Sequence, residues 1–144
     1  GGATLAWAQD VQPGDEVGML GPNGGWMPEA HWLLMAGDET AIPAMMRILE
    51  ALPRDSEGEV LISIEDPQTR MPVDMPPSMN LRWIERNGDH AALLDAATSV
   101  EIPADEDITI WFAGRKPEAL EARRIFREER GYDKASNYIA VYWD

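Results

Sequence analysis

The stretch WLLMAGDETAIPAMM, residues 32–46, decides the fold. Its first half is apolar without the polar alternation of a half-exposed strand, so His31–Ala36 is expected to be a strand covered on both faces. Gly37, two carboxylates and Thr40 follow. Then Ile42, Met45, Met46, Leu49 and Leu52 recur at i, i+3, i+4, i+7 and i+10, the spacing of one helical face. Pro43 has no N–H and is tolerated only in about the first turn of a helix, so that helix starts near Thr40, and Pro53 stops it. A buried strand feeding a helix through a short, constrained turn is the start of a βα unit.

The same grammar continues outward. Glu59–Ile64, Leu81–Glu85, Asp107–Ala113 and Asn137–Trp143 read as further strands. Ala91–Thr98 reads as a helix, as does a longer one from Lys116 to about Arg130 that Gly131 closes. Residues 66–80, DPQTRMPVDMPPSMN, are too broken by proline for regular structure and read as a surface loop. Strand and helix alternate, which predicts an α/β fold: a five-stranded parallel, Rossmann-like sheet with helices on both faces. Upstream lie a turn at Pro13-Gly14-Asp15, a short strand Glu16–Leu20 and a glycine-rich break from Gly21 to Gly25. Residues 1–28 therefore read as the last piece of a different domain and residues 29–144 as the α/β domain. Gly1-Gly2 is not a natural start, which suggests a fragment of a longer chain.

Composition removes several functions. There is no cysteine among the 144 residues, so disulfides, thiolate nucleophiles, thiolate zinc sites and cysteine-ligated clusters are excluded. His31 and His90 are too far apart in sequence to suggest a metal pair, and no metal site is expected. With 26 acidic and 12 basic residues the net charge is −14. A nucleic-acid footprint needs a basic stripe, so nucleic acid is not an expected partner. No apolar run is long enough to span a bilayer, and no signal peptide opens the chain, so a cytoplasmic protein without membrane insertion is expected.

In an open parallel sheet, ligands collect beyond the carboxyl ends of the strands, near the switch point. Ala36 to Ala44 sit at such an end. Two readings fit them. Gly37 lets a ligand approach the backbone, and the N–H groups of Thr40, Ala41 and Ile42, with the Thr40 hydroxyl, make a phosphate pocket. Alternatively Asp38 or Thr40 caps the helix, a reading that the carboxylates of Asp38 and Glu39 favour because they repel phosphate. Glu65-Asp66, at the end of the second strand, would prefer the free ribose hydroxyls of NADH, whereas Arg70 and Arg86 could reach the 2′-phosphate of NADPH. Two converging arginines tilt the expectation toward NADPH.

Five stretches carry a resemblance: GDEVGMLGPNGG (14–25), LLMAGDETAIPAMMRILEALP (33–53), WIER (83–86), IWFAGRKPEALEARRIFREERG (110–131) and VYW (141–143). In this order they resemble the C-terminal, nicotinamide-nucleotide-binding domain of the siderophore-interacting proteins, a branch of the ferredoxin–NADP reductase superfamily. The GDET-x-x-P run is its specific element. The resemblance implies an FAD- and NADH- or NADPH-dependent reductase of ferric siderophores, with FAD held mainly by an N-terminal barrel of which residues 1–28 would be the trailing edge. It places Gly37, Asp38, Glu39, Thr40, Ala41 and Pro43 on the pyrophosphate side and Ala113-Gly114, with Arg115, toward the nicotinamide. Trp143, or Tyr142, would face the flavin. The cofactors do the redox work, so no catalytic side chain is expected. The sequence departs from the family pattern at Asn23, often arginine, at Arg115, usually acidic, and at Asp144, usually basic. A flavin reductase with another acceptor, or a nucleotide-binding module without redox work, are the alternatives.

The remaining features have plain readings. Basic and acidic residues alternate on the last helix, as on a solvated, ion-paired face, with Arg115 and Lys116 nearest the expected site. Trp32, Trp83 and Trp111 fall within strands and are expected in the core.

Overall fold

A computed structural model of the chain describes residues 3–18, 26–29, 31–104 and 107–144. Five strands form the sheet: β1 (Trp32–Asp38), β2 (Glu57–Ile64), β3 (Ser78–Glu85), β4 (Ile108–Arg115) and β5 (Asn137–Trp143). All neighbours are parallel, in the order β3-β2-β1-β4-β5. The order reverses between β1 and β4, so the switch point lies where these two strands end. Gly37 pairs with Ala113 there, which puts the turn after β1 beside the small residues that end β4.

The helices are α1 (Ala3–Asp10), α2 (Ile42–Ala51), α3 (Ala92–Thr98) and α4 (Lys116–Arg123). α2 covers one face of the sheet, where Leu33, Met35, Val60, Ile62 and Trp111 pack with Met45, Ile48 and Leu49. α3 and α4 cover the other, where Leu34, Ala36, Leu61, Ile110 and Phe112 meet Leu93, Ala97, Ala119 and Ala122. β1 is buried at all seven positions, as an apolar run without alternation requires. Residues of alternate parity serve the two cores, so one strand feeds both layers.

The expected strands and helices are present with moved ends. A 3₁₀ turn, Glu39–Ala41, precedes α2, with Pro43 in its first turn and Leu52 extended before Pro53. β3 starts at Ser78 instead of Leu81, inside the stretch expected to be loop, and a 3₁₀ turn occupies Pro67–Thr69. The last helix passes into a π-type segment, Arg124–Glu129. Helix α1 was not expected. Residues 16–18 are not in a strand, and the rest of that expected strand, with the Gly21–Gly25 break and Asn23, lies outside the described residues. Trp32 and Trp111 are buried and Trp83 packs against the α2-side core.

Candidate functional site

The turn after β1 is tightly closed. Asp38 is 4 % exposed, and its Oδ1 accepts hydrogen bonds from the Thr40 N–H at 3.0 Å and the Thr40 hydroxyl at 2.5 Å. The Ile42 N–H donates to the Glu39 carbonyl. Two of the three N–H groups expected to form a phosphate pocket, and the Thr40 hydroxyl, are thus engaged within the turn. The geometry is that of a cap. Ala41 is fully buried, with its Cβ close to Gly37, and Pro43 is exposed. Gly37 also has an internal reason. A Cβ there would stand 2.7 Å from Met45 Sδ and 2.8 Å from Ala41 Cβ, so the glycine lets α2 lie close on β1.

Glu39 points the other way, across β2 toward β3. Its carboxylate binds the Arg86 guanidinium at 2.5 and 2.9 Å, and its Oε1 also accepts the Glu65 N–H at 2.9 Å. Glu65 completes the cluster, taking Arg86 Nε at 3.3 Å and the Gly88 N–H at 3.1 Å. Burial alone would push the Glu39 carboxyl up. Hydrogen bonds from Arg86 and from the Glu39 and Glu65 N–H groups, with the guanidinium charge, outweigh it and hold the carboxyl below its ordinary value. The Arg86 guanidinium is correspondingly raised by its hydrogen bond to Glu39, against its own burial. Arg70 pairs with Glu85 at 2.5 Å. Both arginines expected to reach a 2′-phosphate thus hold carboxylates in this structure.

The other end of the site is built by β4 and β5. Gly114 approaches Asp38 so closely that a Cβ would sit 3.1 Å from its Oδ2. That same Oδ2 accepts the Trp143 indole N–H at 2.7 Å. Trp143 therefore lies over the ends of β1 and β4, with the His90 ring edge-on at 5.7 Å and the Arg115 guanidinium 6.0 Å from its ring centre. Arg115 is bound to Glu118 at 3.1 Å, and Lys116 to Asp144 at 3.0 Å. Tyr142 packs edge-on against Trp111 on the opposite face, and burial, then Tyr138 and Asp38, raise its phenol above the ordinary value.

Beneath Trp143 is a cavity of about 10 Å³, lined among others by Asp38, Ser63, Leu93 and Phe112. Asp38, Glu39, Arg86, Gly114, Arg115 and Trp143 are thus gathered at one end of the sheet. Ser63, His90 and Glu118 are the members sequence reasoning missed. Ser63 could have been found as the polar end of an apolar strand, LISI, at the level of Asp38; the two pair in register. A larger cavity, about 520 Å³, lies at the opposite end by Asp107, Thr109 and Ser136 and holds none of the expected site residues. Among the described residues no cluster of His, Asp and Glu could hold a metal, and no helix is long and apolar enough to cross a membrane.

Comparison with known proteins gives this geometry its family. The ferric vibriobactin reductase ViuB of Vibrio cholerae is 29 % identical over 95 % of this chain and 52 % of its own length. The NADPH-dependent ferric-chelate reductase of Escherichia coli is 30 % identical over 99 % of this chain and 57 % of its own. The crystal structure of a siderophore utilization protein from T. fusca superposes with a TM-score of 0.82 at 32 % identity, covering 99 % of this chain and 56 % of that one. The chain therefore spans little more than half the length of these relatives. The profile described as siderophore-interacting protein matches residues 30–144, and the chain belongs to that family.

Proposed function

We propose that this chain is the nicotinamide-nucleotide-binding part of a flavin-dependent reductase that frees iron from ferric siderophores in the cytoplasm. The observation that carries the reading is the pairing of Gly37 with Ala113 at the switch point, which sets the GDET turn beside Ala113-Gly114 at the carboxyl ends of the strands. The named reductases among the relatives support the reaction class. When bound, the nicotinamide would supply hydride to FAD, and FAD would pass single electrons to iron(III), whose hard oxygen ligands hold iron(II) far less tightly.

The side chains here bind and orient. The buried, unpaired Ser63 hydroxyl and the small residues Ala113 and Gly114 fit a flat ring entering at the ends of β1 and β4. Asp38 fixes the turn after β1. Glu65 and Arg86 stand where a ribose would meet the end of β2, and Arg86 is neutralised by its two carboxylates. The FAD would be held mainly by an N-terminal domain of the kind for which the relatives' greater length leaves room, and the ferric siderophore would bind against that domain.

Titrating the labelled chain with NADH or NADPH tests this reading. The amides of Gly37 to Ile42 and of Ala113 and Gly114 are expected to shift at saturation. Cofactor that moves residues elsewhere and leaves both groups untouched would show the assignment to be wrong.

A further inference from the structure

β2 ends at a cluster of paired charge. Glu39, from the turn after β1, holds both terminal nitrogens of the Arg86 guanidinium, and Glu65 holds its Nε. All three guanidinium nitrogens therefore face carboxylates, and the Arg86 side chain is 11 % exposed. Glu65 is pinned in turn by the Gly88 N–H, which the turn after β3 presents with Asn87 at φ 50° and Gly88 at φ 81°. Its carboxylate is nevertheless 53 % exposed and has acceptor capacity left over. Asp66 is occupied in capping the following turn through the Gln68 N–H. Four carboxylates, of Glu39, Glu65, Asp66 and Glu85, thus stand around the ends of β2 and β3 against two guanidiniums, of Arg70 and Arg86.

An arginine that receives a phosphate turns its fork of N–H groups toward it. Arg86 can do so only by leaving Glu39, and that sets a part-buried carboxylate, stripped of its partner, beside a dianion. A ribose with free hydroxyls makes the opposite demand, since two donors meet a carboxylate with lone pairs to spare. We propose that Glu39 is a specificity-determining residue: by holding Arg86 it closes the end of β2 to a ribose 2′-phosphate, so the chain takes NADH in preference to NADPH. Glu65 accepts the free 2′ and 3′ hydroxyls of the adenosine ribose. Discrimination then comes from a repulsive element as well as an attractive one. Glu39 acts through Arg86 and is a positioning residue, whereas Glu65 touches the ribose itself. The proposal rests on the nucleotide-binding reading for the dinucleotide.

The test is the ratio of the NADPH and NADH dissociation constants, measured by NMR titration of the labelled 144-residue chain. NADH is expected to bind about tenfold or more tighter, the weight of a hydrogen bond to a charged group, and to shift the Glu65 and Gly88 amides. Glu39→Gln keeps the shape of the side chain, removes its charge and loosens Arg86. The ratio should then fall by about fivefold or more. Adding Arg86→Ala to that variant should cancel the fall, because the gain for NADPH runs through the released guanidinium. A merely structural glutamate would weaken both cofactors alike and leave the ratio where it was. Four outcomes overturn the proposal and leave the nucleotide reading standing: NADPH binding the wild type as tightly as NADH, NADH shifting neither amide, an unchanged ratio in Glu39→Gln, or a fall that survives the addition of Arg86→Ala. Failure of both cofactors to bind the wild type and Glu39→Gln overturns both.

Discussion

Asp38 and Glu39 are adjacent and do opposite work: Asp38 ties its own turn to β5, whereas Glu39 ties it to β3 through Arg86. The Glu39 carboxyl lies below its ordinary value of 4.5, so the stability it contributes is present above that pH and is lost as pH falls through 4.5 toward the folded value. The Tm of the chain should therefore drop on acidification below pH 4.5, and Glu39→Gln should flatten that limb in scans taken across the acid range. Arg86→Ala at neutral pH leaves a half-buried carboxylate with fewer partners and should cost about 1–3 kcal/mol in urea unfolding. A loss near zero would show the cluster to be a surface ion pair of no consequence. The carboxylates themselves, and the cap they permit, were legible in GDET. That Arg86, 47 positions along, would close over Glu39 was not, because only the parallel pairing of β2 with β1 and β3 brings the strand ends level.

At the scale of elements, the sheet depends on a glycine that no motif marks. Gly58 lies in β2 at φ +142°, and a Cβ there would stand 1.9 Å from the Leu33 carbonyl oxygen of β1. The obstacle is backbone in a buried strand, which cannot move aside as a methionine tip could. Gly58→Ala should therefore cost about 3 kcal/mol or more, read as a collapse of the denaturation midpoint or as insoluble chain. A variant within about 1 kcal/mol of wild type would mean that β1 and β2 yield easily. The strands and helices with an apolar signature were legible because burial dictates their period. The moved boundaries have no such signature. Ser78–Asn80 alternates between exposed and buried on an edge strand and is recruited by pairing with Glu57–Glu59, a long-range contact that overrides the prolines nearby. Residues 6–10 of α1 are all exposed, so there is no buried stripe to read. The π-type segment Arg124–Glu129 widens the last turns of the helix around the buried Phe126, with the Arg130 N–H donating to the Ile125 carbonyl five residues back, and the side-chain pattern carries no mark of it.

For the whole molecule, charge and length limit what the chain can do alone. The net charge is −14, and the cations at the strand ends, Arg70, Arg86, Arg115 and Lys116, are each paired with a carboxylate. A dinucleotide bound as proposed would meet these cations already paired, among the described residues, so ring stacking and directed hydrogen bonds would carry more of its binding. Hydride transfer further needs the nicotinamide carbon within about 3.5 Å of a flavin in a near-attack geometry. In the proposed reading the α/β domain would present one side of that arrangement, at Gly114, and the chain has no cysteine that could carry electrons by another route. The purified 144 residues are accordingly expected to be colourless and to reduce no ferric siderophore with NADH or NADPH, followed by the loss of the iron(III) chelate absorbance. Adding FAD with the flavin-binding domain of a family relative, fused or as a separate chain, should restore reduction. In that assembly Ser63→Ala should lower kcat/KM for the nicotinamide cofactor by about tenfold, the weight of one hydrogen bond to a buried group. Iron reduction by the bare chain without flavin would remove the division of labour on which this reading depends.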